Sequence, residues 1–580
     1  MKLRYSLCKL ASLFCCVSLC VSVNAQISNK TSGAIFDEVA ERVGLSFRHY
    51  NGMTGKFFLP EIMGAGAALF DYDNDGDLDV FLVQGSVLEP GSKPNETLFP
   101  WRSAEPPRGR LFRNELEIGK DGSRKLRFVD VTEKSGIVAN GYGMGVAVGD
   151  INNDGWPDLY LTNLGSNQMY LNKGDGTFID VTKNTGTDDV RWSTSATFVD
   201  YDRDGWLDLM VLNYATFSTS SSPNCYAATS ARDYCTPRVF AAPGNRLFHN
   251  KGDGTFADAT VSAGVEKEFG HGLGVVAADF NDDGWPDIYV ANDGDPNQLW
   301  INQKNGTFKN DALLAGVAVN RDGKTEAGMG VDAGDCDGNG TEDIFVTHLM
   351  EETHILFTNL GNALFEDRTR ESGLGMPGSR FTGFGTLFFD YDNDGWLDLL
   401  VVNGAVQLLP ELVRKSDPYP LGQPKQLFRN TGKGSFVEVG DQAGPGFKLL
   451  EVSRGAAFGD VDNDGDTDVL VTNNNGPVRL FLNEAGNRNH WLGLRLIGKN
   501  GRDMLGARVD VVINKNRVLR RRTRTDGSYL SANDPRILVG LGNVTQVETI
   551  RVQWPDGGRE EWKAPLVDRY IVLKQGAGKQ

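Results

Sequence analysis

Apolar residues in this chain fall in short, strand-like runs separated by clusters of Asp, Asn and Gly, and the same order of runs keeps returning. In the plainest copy the runs are residues 145–149, 158–162, 168–172 and 178–182, named A, B, C and D below. Polar turns part A from B and C from D, the second reading Gly174-Asp175-Gly176-Thr177. Two hairpins per copy follow from this pattern. D runs of the form F-x-[DEN]-x start at Phe128, Phe178, Phe256, Phe308, Phe365 and Phe436, with a seventh at Phe36 ahead of the first A run. Four antiparallel strands returning every 50 to 79 residues predict an all-β fold, a seven-bladed β-propeller, because one such sheet cannot bury both of its faces alone. The last C run, residues 478–483, has no D partner after it, so the N-terminal run is expected to complete the seventh blade and remove a sheet edge.

The A–B turn carries the chemistry. Seven times it reads D-x-[DN]-x-[DN]-G-x-x-D, opening at Asp71, Asp150, Asp200, Asp279, Asp335, Asp390 and Asp460. Positions one, three, five and nine offer side-chain oxygens, and glycine always holds position six. Ca²⁺ takes six to eight oxygens at ~2.3–2.6 Å, supplied by alternate side chains and a main-chain carbonyl of a tight loop. The closing Asp at position nine and strand-like flanks separate these loops from an EF-hand. With position seven giving its carbonyl, the candidate ligands of the first loop are Asp71, Asp73, Asp75, Asp77 and Asp79, and of the second Asp150, Asn152, Asp154, Trp156 and Asp158. The third offers Asp200, Asp202, Asp204, Trp206 and Asp208, and the fourth Asp279, Asn281, Asp283, Trp285 and Asp287. In the fifth they are Asp335, Asp337, Asn339, Thr341 and Asp343, in the sixth Asp390, Asp392, Asp394, Trp396 and Asp398, and in the seventh Asp460, Asp462, Asp464, Asp466 and Asp468. Of the 28 side-chain positions 25 are Asp, a density of like charge that ordinary hairpin turns do not need and that a divalent cation relieves. Up to seven Ca²⁺ are expected.

Composition alters this picture in two ways. The formal charge is −17, and seven bound divalent ions would offset most of it, so the acidity does not call for a basic partner. Residues 1–25 read as a secretory signal, with Lys2, Arg4 and Lys9 ahead of an apolar run and small residues at Val23 and Ala25. A secreted or periplasmic protein is expected, with no membrane span and no nucleic-acid partner. Cys225 and Cys235 lie close together in a polar loop, and an oxidising compartment favours a disulfide between them.

Seven and five residues before each opening Asp only Gly or Ser occurs, from Gly64 and Gly66 to Ser453 and Gly455, which places strand A innermost around a crowded axis. The chain resembles the secreted FG-GAP/VCBS-type calcium-binding propellers, and more narrowly the cartilage acidic protein family with its C-terminal ASPIC/UnbV domain. The carriers are residues 64–79, the recurring N-x-G-D-G-T-F turns, and the tail segments 506–509, 526–529, 540–542 and 554–557. That resemblance implies an extracellular calcium-binding interaction protein with the propeller over 34–488 and the ASPIC/UnbV-like β domain over 489–575. The tail, with strand-like runs at 491–497, 507–513, 537–539 and 549–554, is expected to form a small sandwich docked beside the propeller. Its basic stripe of Arg517, Arg520, Arg521, Arg522 and Arg524 would bind an outside anion or polysaccharide, dock on the acidic propeller, or simply be solvated.

Blades one, three and six carry extra residues between B and C, near 85–110, 214–245 and 404–425. All three fall on the rim opposite the acidic loops, which makes that rim the expected site for an extracellular protein or glycan ligand. At the mouths of the inner strands there stand Glu61, Arg191, Trp192, His271, Glu326, Arg380 and Arg454, a candidate ligand cluster. No catalytic residue is assigned, for the chain lacks G-x-S-x-G, H-E-x-x-H and a phosphate loop. The alternative reading is a propeller enzyme, a hydrolase, lyase or oxidoreductase working in the central channel.

Overall fold

The computed structural model describes residues 33–227 and 230–579. The expected leader, residues 1–25, lies outside these residues. Alternating apolar residues build seven four-stranded sheets, each starting with the hairpin around an acidic loop. Blade 2, for example, runs Tyr142–Gly149, Asp158–Leu164, Gln168–Asn172 and Phe178–Asp180, and the other blades repeat that antiparallel order. In the last blade the strands Ser453–Gly459, Asp468–Asn473 and Arg479–Asn483 take their fourth partner from Phe36–Glu38, with Phe36 opposite Asn483. Neighbouring A strands touch one another from blade to blade, the last against the first, so the sheets close into a ring. Hydrophobic clusters fill the wedges between blades, such as Val276, Tyr289, Val331, Ile344 and Phe357.

The tail is a sandwich. Ile537–Gly542, His490–Ile497 and Tyr570–Lys574 form one sheet, and Arg517–Arg522, Arg508–Asn514, Thr549–Gln553 and Arg559–Lys563 the other. Leu492, Leu494, Val509, Val511, Ile550 and Trp554 lie buried between them. Two of these strands, 517–522 and 559–563, carry so many charged residues that their alternation does not announce them, and the third unexpected strand, 570–574, is a short apolar run near the end of the chain.

The tail does more than dock beside the propeller. Its segment between Arg522 and Ile537 enters the ring along the axis and touches all seven A strands. Ala532 exchanges backbone hydrogen bonds with Ala67 and Leu69, Leu530 O accepts from Val146 N at 3.1 Å, and Ser528 O accepts from Val331 N at 3.0 Å. Leu530 N donates to Ser195 Oγ (3.1 Å), Ala277 N to Asp526 Oδ2 (2.7 Å), and Phe458 N to Asn533 Oδ1 (3.1 Å). At the tip the Tyr529 ring meets Phe384 at 4.9 Å, and its hydroxyl donates to Met63 O at 3.0 Å. The Gly/Ser rule of the inner strands follows from this insertion as well as from crowding: a Cβ on Gly66 would sit 2.0 Å from Leu530 O.

The three insertions close the opposite mouth. Cys225 and Cys235 are joined by a disulfide with Cα atoms 5.1 Å apart. Leu408 N donates to the Asp233 carboxylate at 3.3 Å, Arg232 to Lys56 O at 2.9 Å and Tyr419 Oη to Asn474 Oδ1 at 2.6 Å. Phe99 packs on Tyr419 and Phe57 on Tyr234. One apolar cluster runs from this lid, through Tyr234, Leu409 and Leu421, past Trp192 and Phe384, to Tyr529 and Leu530 of the plug. The axis is a packed core.

Candidate metal centres on the propeller rim

Each acidic loop folds around its own first carboxylate. In all seven, the amide of the glycine at position six donates to Oδ2 of the opening Asp at 2.7–3.1 Å. The amide of position seven donates to the side-chain oxygen of position five at 2.7–3.2 Å. The glycines at position six adopt φ of 87–97°, and position four is left-handed too, with φ of 52–76°. That second turn favours the Asn, Asp and Gly found at most of the fourth positions.

Position nine holds the blades together. Its Oδ2 accepts from the amide of position two at 2.9–3.2 Å, and its Oδ1 from the amide of the Asn ending strand C at 2.7–2.8 Å. That same Asn reaches the preceding blade. Asn114 Nδ2 donates to Val461 O, Asn172 to Tyr72 O, Asn250 to Ile151 O, Asn302 to Tyr201 O, Asn359 to Phe280 O, Asn430 to Cys336 O and Asn483 to Tyr391 O, all at 2.7–2.9 Å. This clamp repeats around the ring. The Asn ends every C strand in the sequence, but its acceptor belongs to another blade.

The carboxylates left over point to a cation. Asp71, Asp73 and Asp79 can bring one oxygen each within 4.8 Å of one another, as can Asp200, Asp202 and Asp204, Asp335, Asp337 and Asp343, and Asp390, Asp392 and Asp398. Among the described residues, buried oxygens of Asp71, Asp73, Asp200, Asp335, Asp392 and Asp462 find no hydrogen-bond partner, a costly arrangement unless a charge faces them. Burial, with help from neighbouring carboxylates, pushes Asp71 and Asp335 up to about 6, Asp200 to about 7 and Asp390 to about 8. At position nine burial takes Asp208 to about 9, Asp287 and Asp343 to about 8. These sites resist holding bare negative charge, and either protons or a metal ion would satisfy them.

Two families match this architecture in sequence. One, described as an FG-GAP-like repeat, matches residues 150–211, 239–290, 279–346 and 422–471, and the other, described as ASPIC and UnbV, matches residues 497–580. The chain is an FG-GAP-repeat protein with an ASPIC/UnbV domain. It is homologous to cartilage acidic protein 1 of Homo sapiens, with 26% identity over 318 residues, 54% of this chain and 37% of that one. The Mus musculus protein of the same name is 24% identical over the same share of the chain. The chain thus spans well under half the length of the curated relatives it matches. Among solved structures, YCF48 bound to D1 peptide aligns over 78% of this chain and 96% of that one, with 7% identity and a TM-score of 0.37. An Agrocybe aegerita lectin, whose structure concerns recognition of non-reducing terminal N-acetylglucosamine, aligns over 58% and 80% with 16% identity and a TM-score of 0.31.

The ASPIC/UnbV domain spends its arginines on the FG-GAP loops. Arg495 stands 3.5 Å from Asp71, Arg508 pairs with Asp282, and Arg522 lies 3.2 Å from Glu342. Arg502 donates to Gly205 O at 3.0 Å, Arg517 to Asp394 O at 2.9 Å, Arg521 to Gly395 O at 3.2 Å and Arg536 to Asp460 O at 2.8 Å, while Arg520 donates to Gly340 O. Arg524 pairs with buried Asp332 inside the ring. Of the destinations open to the basic stripe, the structure uses the propeller.

The seven candidate ligand residues of the opposite rim are not brought together around a common space. Arg454 is fully buried, donating to the carbonyls of Ile62, Gly404 and Ala405 and lying 3.9 Å over the Phe384 ring. Glu61 is buried beneath Tyr234, and burial raises its carboxyl to about 8. Trp192 packs on Tyr214 in the axial core. Arg191 pairs with Asp189, His271 with Asp295 at 2.7 Å, Glu326 accepts from Asn320 at 2.9 Å, and Arg380 pairs with Glu438. Most are engaged by nearby protein groups, though Trp192 Nε1 and Glu326 Oε2 find no hydrogen-bond partner among the described residues. No helix among the described residues is long and apolar enough to cross a membrane.

Proposed function

We propose that this chain is an exported calcium-binding propeller whose seven acidic loops hold structural Ca²⁺ and whose lid of insertions recognises a protein or glycan ligand. The observation carrying the calcium reading is the sevenfold acidic loop with buried carboxylate oxygens left unpartnered. Positions one, three, five and nine supply side-chain oxygens and position seven its carbonyl, a set of hard donors suited to Ca²⁺ rather than to Mg²⁺, which keeps its waters. The ion takes over the charge balance of the rim and holds the A–B hairpins in the shape that the arginines and the inter-blade Asn residues meet.

Export is supported by the disulfide of the lid and by the signal-like residues 1–25. The recognition role rests on the lid's construction: three long insertions, one closed by a disulfide, two joined through Phe99 and Tyr419 and two through Leu408 and Asp233, present an ordered surface on a rigid scaffold. The packed axis speaks against chemistry in a central channel.

Two measurements test this. Elemental analysis of gently purified protein should find calcium at several ions per chain, and chelation should lower the melting midpoint, since a ligand bound only by the folded state stabilises by ~2.7 kcal/mol per site at a hundred times its Kd. An unchanged midpoint in chelator removes the structural role. A glycan and protein screen with lid variants tests recognition.

A further inference from the structure

Where the tail meets the first two loops, the structure leaves a cavity of about 290 Å³. That is close to the lower end of the roughly 300–1,000 Å³ typical of small-molecule sites. Its walls are mostly apolar, from Phe70 and Val148 of the inner strands to Leu505 and Ile571 of the tail. Three arginines and four aspartates also line it, and their pairing decides what fits.

Arg495 is matched by Asp503 at 2.9 Å, and Arg536 by Asp534 at 2.9 Å. Arg502 is different. It is only 4% exposed, its one hydrogen bond runs to Gly205 O, and among the described residues no carboxylate comes within ion-pair distance of its guanidinium. The acids nearest in effect are Asp200 and Asp150, opening residues of the third and second loops; on the cavity wall Asp71 stands 3.5 Å from Arg495, while Asp150 has no ion-pair partner among the described residues. Calcium in the first three loops offsets two of the four, three and four carboxylate charges that their side-chain ligands carry. The cavity then holds one buried guanidinium with no carboxylate at ion-pair distance among the described residues, set in a largely apolar wall.

From this we infer a second ligand site: the cavity takes a small monoanion with an apolar body, a carboxylate whose head pairs with Arg502 and whose tail lies against Phe70, Val148, Leu505 and Ile571. Guanidinium and carboxylate match in a planar, two-bond geometry, and the apolar wall excludes heavily hydrated anions. The dependence on calcium rests on the reading of the loops given above.

Octanoate is the probe, titrated calorimetrically into the full chain, with octanol as its neutral counterpart. In calcium, octanoate should bind saturably at one per chain, and octanol weaker by about tenfold or more, the value of a charged hydrogen bond of ~1.5–3 kcal/mol. Arg502→Gln should reduce octanoate to the octanol level. Val572→Trp, on an exposed strand at the cavity wall, should abolish both without disturbing the fold, as a matching melting midpoint would show. In chelator the octanoate affinity should fall towards that of octanol. No saturable binding in calcium, or equal binding by both variants and wild type, overturns the site. Equal affinity with and without calcium overturns the charge argument, whereas absent calcium heat in the same samples overturns the loop reading instead.

Discussion

Removing the tip of the plug tests whether the tail is an appendage or part of the propeller's core. Tyr529 is 0% exposed, packs its ring on Phe384 at 4.9 Å and donates to Met63 O at 3.0 Å. Truncating a buried large aromatic costs about 3–5 kcal/mol, part transfer free energy and part cavity. The site cannot collapse easily, because backbone from seven strands surrounds it and is held in register by the sheets. Tyr529→Ala should therefore cost near the upper end of that range, and Tyr529→Phe, which keeps the ring and strands only the Met63 carbonyl, about 1 kcal/mol. Denaturant titration followed by tryptophan fluorescence reads both, since Trp192 lies in the same cluster. The reasoning fails if Tyr529→Ala unfolds within about 0.5 kcal/mol of wild type, the range of a surface substitution.

Other outcomes follow from the rim and the axis. Burial raises Asp208 to about 9 and Asp287 and Asp343 to about 8, against an unfolded value of ~3.9, so the chelated folded state binds more protons than the unfolded chain between those limits and loses stability as pH rises through them. Chelated protein should melt higher at about pH 5.5 than at about pH 8, and calcium should flatten or reverse that slope; a chelated protein that gains stability with pH contradicts the assignment. Asn302→Ala strands the carbonyl of Tyr201 in the neighbouring blade and should cost about 1–3 kcal/mol, whereas Asn305→Ala, on the exposed turn beyond, should change the denaturation midpoint little. Gly66→Ala should lower stability sharply, because its Cβ would lie 2.0 Å from Leu530 O and the plug could not seat; a melting midpoint equal to wild type shows that the plug yields.

Much of this protein is written locally. Period-two alternation with Asp- and Gly-rich turns specifies strands and hairpins within a few residues of themselves, and the all-β propeller could be read from runs such as 145–149 and 158–162. The acidic loops are equally legible, since an oxygen at every second position and a glycine at the sharp turn are short-range requirements. Cys225 and Cys235 were near enough in the chain for their disulfide to be anticipated.

What the pattern could not state was which distant segment each of these features would meet. Asn114 donates to Val461, 347 residues away, and Tyr529 reaches Met63 across 466. Segment 523–536 is polar and glycine-containing, and reads as a surface loop until the ring around it supplies partners for its backbone. Arg454 and Glu61 look like rim residues, yet three insertions fold over them and turn the mouth of the axis into core. Alternation records only whether a side chain faces inward or outward on its own sheet; the choice of partner depends on ring closure and on what fills the axis, and those are decided only when the whole chain is packed.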